Sequence, residues 1–465
     1  MPAAVENRPL AVRLAADINA LYRDGGTRDG GLPAAAGAET LNTLFNVVHT
    51  AVGAAGHPIV DGVARAHQAS LDDTQGVPVL GRDEVLDAHA AALAVGIAGH
   101  LDDYDDTHLA TVIHPGAACL AAGLAIGWLH RVDGASFVRA AGLGVEAQLR
   151  LGLALTEAHY DAGWHITGTC GALGATVTGG LLAGLDDAAL ATAIGLAVSQ
   201  TVGHRQGFGS SVKSYNVGKA AGNAVLSVLL AKAGFTAPAT SLDGDRGFFA
   251  VLSDAAAPET VLDRLGVHWH LLDNTYKPYP CGIVCHPAID AAVALHPQLE
   301  GRQVVSAELR CHPLVPELTG NPNPVNGLQA RFSTVHGVAA GLLDGEVGLP
   351  QYADQRAVAA EVAALRRAIQ VRPEPNCRRD EATLTVTLDD GTRRESHIEH
   401  ARGSLARPLT PDELAEKGRR LAQPVLGERG AEELAAAVRA LPYAKSLKPL
   451  LDAANPQRTP DRRQS

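Results

Sequence analysis

The sequence predicts a mainly α protein in which a smaller α+β segment is inserted into a larger helical body. Three observations carry this. From about Leu10 to Gly234, apolar residues recur at spacings of three and four, broken by Gly and Asp-Gly. Near WHLLDNTYKPYPCGIV the texture changes, and period-two alternation appears in VVSAELRCHPLV and EATLTVTLDDGTRRESHIEH. After LARPLTPDELAEKGRRLAQPVL the helical spacing returns. The expected division is therefore residues 1–268 (helical), 269–404 (an α+β insertion) and 405–465 (helical again), and 465 residues exceed what one simple core holds.

Taken in chain order, RDEVLDAHAAALAVGIAGHL, GAACLAAGLAIGWLHRV, DAALATAIGLAVSQTVG and NVGKAAGNAVLSVLLAKAGF read as buried helices whose Ala and Gly let neighbours approach closely. In the α+β insertion, CHPAIDAAVALH and FSTVHGVAAGLLDG read as helices between strands. Thr410 is an expected N-cap with Pro411 at the first helical position. The tail NPQRTPDRRQS is polar and expected to fray.

Charge narrows the function classes. Lys and Arg total 39 against 50 Asp and Glu, a balance of -11, which offers no basic footprint for nucleic acid or an anionic membrane. An anionic substrate would need local basic residues. Six scattered cysteines read as reduced thiols and a cytoplasmic setting. The start MPAAVENRPLAVRLAADINAL has no signal-peptide pattern. Every apolar run breaks before the ~18 residues a membrane span needs, so a soluble protein is expected.

The densest chemistry is HLDDYDDTHLATVIHPG, His100 to Gly116. On one continuous helix Asp103, Thr107 and His114 would share a face. Pro115 disfavours helix at His114, which places that histidine in a loop at the mouth of the next helix, exposed to a cavity. One reading is a magnesium site at Asp102-Asp103-x-x-Asp106. Only 4% aromatic residues and the lack of a second acidic motif weigh against a prenyl-diphosphate enzyme. A second reading is acid–base work, with Asp103 orienting or accepting a proton, Thr107 donating and His114 titrating near neutrality. A third is an acidic helix face in water, with Asp102, Asp105 and Asp106 capping or solvating.

Two further stretches favour acid–base work. In AGWHITGTCGALGATVTGGLLAGL, His165 precedes a Thr-Gly-Thr-x-Gly turn at a helix start, where free amides can hold a carboxylate. In SQTVGHRQGFGSSVKSYNVGKAAGN, Arg205, Lys213 and Lys219 surround a Gly-rich turn with Ser210 and Ser211, a set suited to carboxylates. Phosphate is the weaker version, since a nucleotide loop's strand and Gly-Lys-Ser/Thr ending are missing. Cys281-x-x-x-Cys285-His286 has no partner pair, so no metal is assigned.

With these stretches together, the chain resembles the MmgE/PrpD family of dehydratases, decarboxylases and epimerases. The resemblance runs through HLDDYDDTHLATVIHPGAA, GWHITGTCGALGAT, GFGSSVKSYNVGKAAGNAVLSVLLAKAGFTAP, KPYPCGIVCHPAIDAA, ARFSTVHGVAAGLLDG and PLTPDELAEKGRRLA. It implies a helical domain made from both chain ends, an inserted α+β lid, a homodimer, and a cofactor-free active site in the cleft between them. It also implies catalytic roles for Asp103, Thr107, His114, His165 and Lys213. Substrate contacts are expected from Arg205, Ser210, Lys277, Tyr279, Cys281 and His336.

Three departures from the family's motifs bear on substrate. Gly282, Ile283 and Val284 stand where dehydratases carry polar and basic residues. Asn216 stands where a histidine is common, and His336 where a tyrosine is common. A smaller or less charged acid than a tricarboxylate is expected. The leading expectation is a cofactor-independent lyase, dehydratase or decarboxylase, acting on a small di- or tricarboxylic acid by proton abstraction next to a carboxylate. The alternatives are a dicarboxylate epimerase, an inactive metabolite binder and a magnesium-dependent prenyl enzyme.

Overall fold

A computed structural model describes residues 8–24, 32–68, 76–201 and 203–456. Its first helices are α1 (Leu10–Asp24), α2 (Ala34–Gly53) and α3 (Pro58–Gln68), followed by a short hairpin of β1 (Val77–Pro78) and β2 (Val85–Leu86). Then come α4 (Ala88–Leu101), strand β3 (Asp106–His108), α5 (Gly116–Leu129), α6 (Gly134–Asp161), α7 (Ile166–Leu182), α8 (Asp187–Val198) and α9 (Val212–Lys232). Asp87, Asp133 and Asp186 cap α4, α6 and α8 by accepting backbone N–H bonds from Ala90, Ser136 and Ala189.

The Ala and Gly content has the expected packing consequence. Every residue of α7 is buried, as befits a helix apolar all round. At the crossing of α4 and α9, a Cβ on Gly218 would lie 2.4 Å from the Leu93 carbonyl, and one on Gly96 would lie 2.8 Å from Gly218 Cα. The two backbones touch there, and only glycine allows it.

The α+β part enters through β4 (Asn274–Tyr276), which pairs antiparallel with β3 so that Asp106 opposes Tyr276 and Thr107 opposes Thr275. It continues with α10 (His286–Leu295), β5 (Val304–Cys311), α11 (Thr334–Asp344), α12 (Ala360–Ala368), β6 (Ile369–Pro373), β7 (Ala382–Leu388) and β8 (Arg393–Ile398). The sheet order is β6-β5-β7-β8, with β6 parallel to β5 and the other pairs antiparallel. In β7, Ala382, Leu384, Val386 and Leu388 point inward and join residues of α10, α11 and α12 in a core of their own.

The chain then returns to the helical body. Helix α13 (Pro411–Arg439) opens with a capping box between Thr410 and Glu413, and turns at Gly427, where φ is 76°. Its Leu414, Leu426, Leu434 and Val438 belong to the same core as the first helices, as do residues of α14 (Lys448–Ala453). Buried Lys417 donates to Asn46 Oδ1 at 2.7 Å, to the Tyr104 carbonyl at 2.6 Å and to the Lys277 carbonyl at 2.9 Å, stitching the late helix under the cleft.

One local expectation is corrected. The helix before the acidic cluster ends at Leu101 and does not run on towards Thr107. Asp103 adopts φ 50°, which a helix cannot continue through, and Thr107 lies in β3. His114 does precede α5, as Pro115 requires. No described helix is long and apolar enough to cross a membrane. All six cysteines are unpaired. Most of the segment expected to fray, and the first seven residues, lie outside the described residues.

Candidate active site

Between the two cores lies a cavity of about 440 Å³. Its floor comes from the loop after α4, the starts of α7 and α9, and Lys277 just after β4. Asp103 stands at the centre. Its Oδ1 accepts from Lys213 Nζ and from Lys277 Nζ, each at 2.6 Å, while Oδ2 is buried without a partner among the described residues. The left-handed backbone at Asp103 turns its carbonyl towards the same lysine, Lys277 Nζ, at 3.1 Å. Val112, also on the cavity, has φ 53°, a rare state for a β-branched residue and the kind of strain that collects at functional sites.

Three histidines converge here. His100 Nδ1 donates to Asp105 Oδ2 at 2.6 Å. His114 Nδ1 lies 2.9 Å from the Asp106 carbonyl, 3.2 Å from Thr107 Oγ1 and 3.3 Å from Asp105 Oδ1. Ringed by acceptors, that nitrogen carries the proton and leaves Nε2 as the basic atom. His165 has the opposite arrangement. Asn216 Nδ2 donates to its Nδ1 at 3.2 Å, so the proton sits on Nε2, which has no partner among the described residues. A buried donor without a partner calls for one.

Burial sets the charge states. It lowers His114 to about 4, with Lys277 and Lys213 pushing the same way against Asp105. Burial likewise holds His165 well below its ordinary value and lowers His100. Burial would raise Asp103, but Lys213 and Lys277 together more than offset it and hold its carboxyl well below the usual range. Lys213 is lowered by burial, opposed by Asp103. The floor therefore pairs charged Lys and Asp with neutral imidazoles. His114 does face the cavity, as expected, but the expectation that it titrates near neutrality is corrected: burial keeps its imidazole neutral.

Asp103, Thr107, His114, His165, Lys213 and Lys277 all line the cavity. Tyr279, Cys281, His336, Arg205 and Ser210, expected to contact substrate, do not. Tyr279 donates to Asp290 at 2.6 Å, and Cys281 is buried in a small core with Ile289 and Tyr352. His336 is buried inside the lid, bonded to the Gln351 carbonyl at 2.8 Å and to Arg366 at 3.1 Å, so it does not face the cleft. Arg205 stacks 4.0 Å over Tyr160 and pairs with Glu317, and Ser210 is exposed and bonded to the Gly207 carbonyl.

Sequence reasoning missed His100 and Asp105. Their signal is a histidine at the end of an apolar helix followed five residues later by an acid, Asp105, which sequence alone reads equally as capping or solvating. Asp106 does cap, accepting from Gly116 N at 3.0 Å and from Asn274 at 2.8 Å.

His100, Asp103, Asp105 and His114 present ligand atoms within 4.8 Å of one another, a spacing a metal could use. The donor chemistry does not fit a divalent ion. Asp103 already carries two ammonium groups at 2.6 Å, and Lys277 also lies 3.9 Å from Asp105. A divalent ion there would sit beside two ammonium groups that repel it.

Fold and floor define an enzyme equipped for acid–base chemistry. The MmgE/PrpD N-terminal domain profile matches residues 27–261, and the MmgE/PrpD C-terminal domain profile matches residues 279–442. The chain belongs to the MmgE/PrpD family. It is 28% identical over 375 residues to the cis-aconitate decarboxylase of Mus musculus, covering 76% of this chain and 75% of the relative. It is 25% identical to that of Homo sapiens over 422 residues (86% and 83%), and 25% identical to that of Aspergillus terreus over 408 residues (81% and 83%). With decarboxylases as relatives, its class within the family is that of the lyases.

Proposed function

We propose that the protein is a cofactor-independent lyase that decarboxylates or dehydrates a small carboxylic acid. The carrying observation is the pair of opposite tautomers, His114 with a bare Nε2 and His165 with a protonated Nε2, beside Lys213 at one cavity floor. In dehydration, His114 Nε2 takes the proton next to a carboxylate and His165 protonates the departing hydroxide. In decarboxylation, the bond to the leaving carboxylate breaks, its electron pair passes into the carbon skeleton, and His165 Nε2 delivers a proton to carbon. Lys213 holds a substrate carboxylate and stabilises the enolate-like charge, as preorganised donors in a dry site do. Asp103, itself held by Lys277, fixes Lys213 in place, and Asp105 orients His100 and His114.

The relatives' activity makes cis-aconitate the first acid to try. The test is carbon dioxide release and product identification by NMR from cis-aconitate and a panel of unsaturated and hydroxylated small acids. Turnover of at least one acid, unchanged by exhaustive chelation, is expected. No turnover across the panel, or turnover abolished by chelation, would overturn the reading.

Epimerisation is the second reading, favoured by the same two histidines, because a proton taken by one can be returned by the other on the opposite face. Deuterium uptake from heavy water into a diacid without net conversion would identify it. A homodimer is also inferred. Val212, Tyr215, Leu226 and Leu229 leave apolar surface exposed along α9, in support of it, and light scattering tests it. The free cysteines support a reducing compartment such as the cytoplasm.

A further inference from the structure

The floor is polar, but the cavity above it is not. Leu109 and Val112 approach from the helical side, and Ile283, Val284, Leu314 and Leu318 approach from the lid side. Val112 packs on the helical core, while the four lid residues belong to or pack against the lid core, so the wall is held on both sides by rigid packing. Phe208 and Phe332 close the near end, with Lys213 Nζ 5.4 Å and 5.3 Å from their ring centroids.

Each lysine or arginine that lines the cavity already has an acidic partner. Lys213 and Lys277 share Asp103 at 2.6 Å. At the rim, Arg402 pairs with Glu413 at 2.8 Å and Arg379 with Glu157 at 3.3 Å. Even His400 bonds to a carboxylate, Asp380, at 2.7 Å. A ligand bearing three carboxylates would place at least one against hydrocarbon or oblige it to compete with the acids that already pair the rim arginines, and burying an unpaired carboxylate is costly. Among the described residues, the unpartnered side-chain nitrogens at the cavity are His165 Nε2 and the remaining N–H groups of Lys213 at the floor, and Nε2 of His286, whose imidazole burial keeps neutral.

We propose that the site takes an amphipathic acid: a carboxylate gripped at the Lys213 and His165 floor, and a hydrocarbon substituent of several carbons lying along the Val112, Ile283, Val284, Leu314 and Leu318 wall. This rests on the lyase reading for the position of the floor, but it concerns what is selected and not what is done to it. The lid supplies most of the wall, so Ile283, Val284 and Leu318 are the specificity-determining residues, and none of them touches the reacting atoms.

The test is calorimetric binding to the full-length protein of succinate, its 2-methyl, 2-propyl and 2-hexyl derivatives, and propane-1,2,3-tricarboxylate. Affinity should rise with each added methylene by up to about fourfold, the factor that ~0.8 kcal/mol per buried CH₂ corresponds to. The hexyl acid should bind better than the tricarboxylate. In Ile283→Arg the order should reverse, with the alkyl gain lost and the tricarboxylate strengthened. Leu318→Arg serves as a second variant should the first fail to melt cooperatively, and the wild-type series decides alone if both do. A flat response to chain length, or a tricarboxylate that binds more tightly than every alkyl acid, would overturn the proposal. Chain-length dependence without turnover of any acid would leave the wall assignment standing and sink the lyase reading. Turnover with a preference for the tricarboxylate would do the opposite.

Discussion

Floor and wall of the one cavity are built on opposite principles. The floor is a closed electrostatic unit in which Asp103, Lys213, Lys277, Asp105, His100 and His114 fix one another within hydrogen-bonding or ion-pair distance. The wall is hydrocarbon from two cores, held by packing and carrying no titratable group among its Leu, Val and Ile side chains. Partly broken buried networks are more damaging than altered apolar surfaces. Chemistry and selection should therefore fail separately under mutation, the first steeply and the second gently.

The largest expected effect is Lys213→Ala. It removes the lysine proposed to grip substrate as well as Asp103, and turnover should fall roughly 10³-fold, the scale of losing one preorganised donor to developing charge. A loss of less than tenfold would move the anion site elsewhere. Next come His165→Ala and His114→Gln, each expected to lower kcat by about 10²-fold or more. His336→Ala provides the contrast. It lies inside the lid, so it should lower the melting temperature while leaving kcat within about threefold, a loss confined to packing and hydrogen bonds.

Acid stability gives a graded effect. His114, His108, His49 and His336 are all held to about 4 by burial, below the ordinary 6.5. The unfolded chain binds more protons than the folded one between those values. Stability is thus full above pH 6.5 and is lost progressively as pH falls towards 4. Denaturant titrations at pH 7, 5.5 and 4.5 should show a falling midpoint, and an unchanged midpoint would mean that these rings are not buried neutral. The smallest effect is expected for Tyr279→Phe, which deletes the donor to Asp290. It should cost about 1 kcal/mol of stability, with kcat and KM nearly unchanged because the side chain is off the cavity.

The division of labour also explains what the sequence made legible. Helical spacing, the return of the chain at Thr410 and Pro411, and the strand alternation of β7 are local patterns, and local physics wrote them. The floor residues Asp103, His114, His165 and Lys213 were legible because each sits at a helix end or a glycine-rich turn. Asp105 and His100 were not, because whether an acid solvates a helix end or buries itself against an imidazole depends on β4 crossing over β3, some 170 residues downstream. Tyr279, Cys281 and His336 mislead for a related reason. A motif fixes which residues lie together in the chain, while the bend that follows Lys277 leaves that lysine on the cavity and takes Tyr279 to Asp290 instead.

The central claim is that a neutral His114 is the base of this floor, and the pH dependence of kcat/KM on a turned-over acid tests it most directly. The base is active when deprotonated, so with His114 lowered to about 4 the rate should persist as pH falls through 6.5. It should decline only towards 4, and His114→Gln should abolish that limb. An acidic limb at the ordinary imidazole value of 6.5, or one that survives in His114→Gln, would contradict the account.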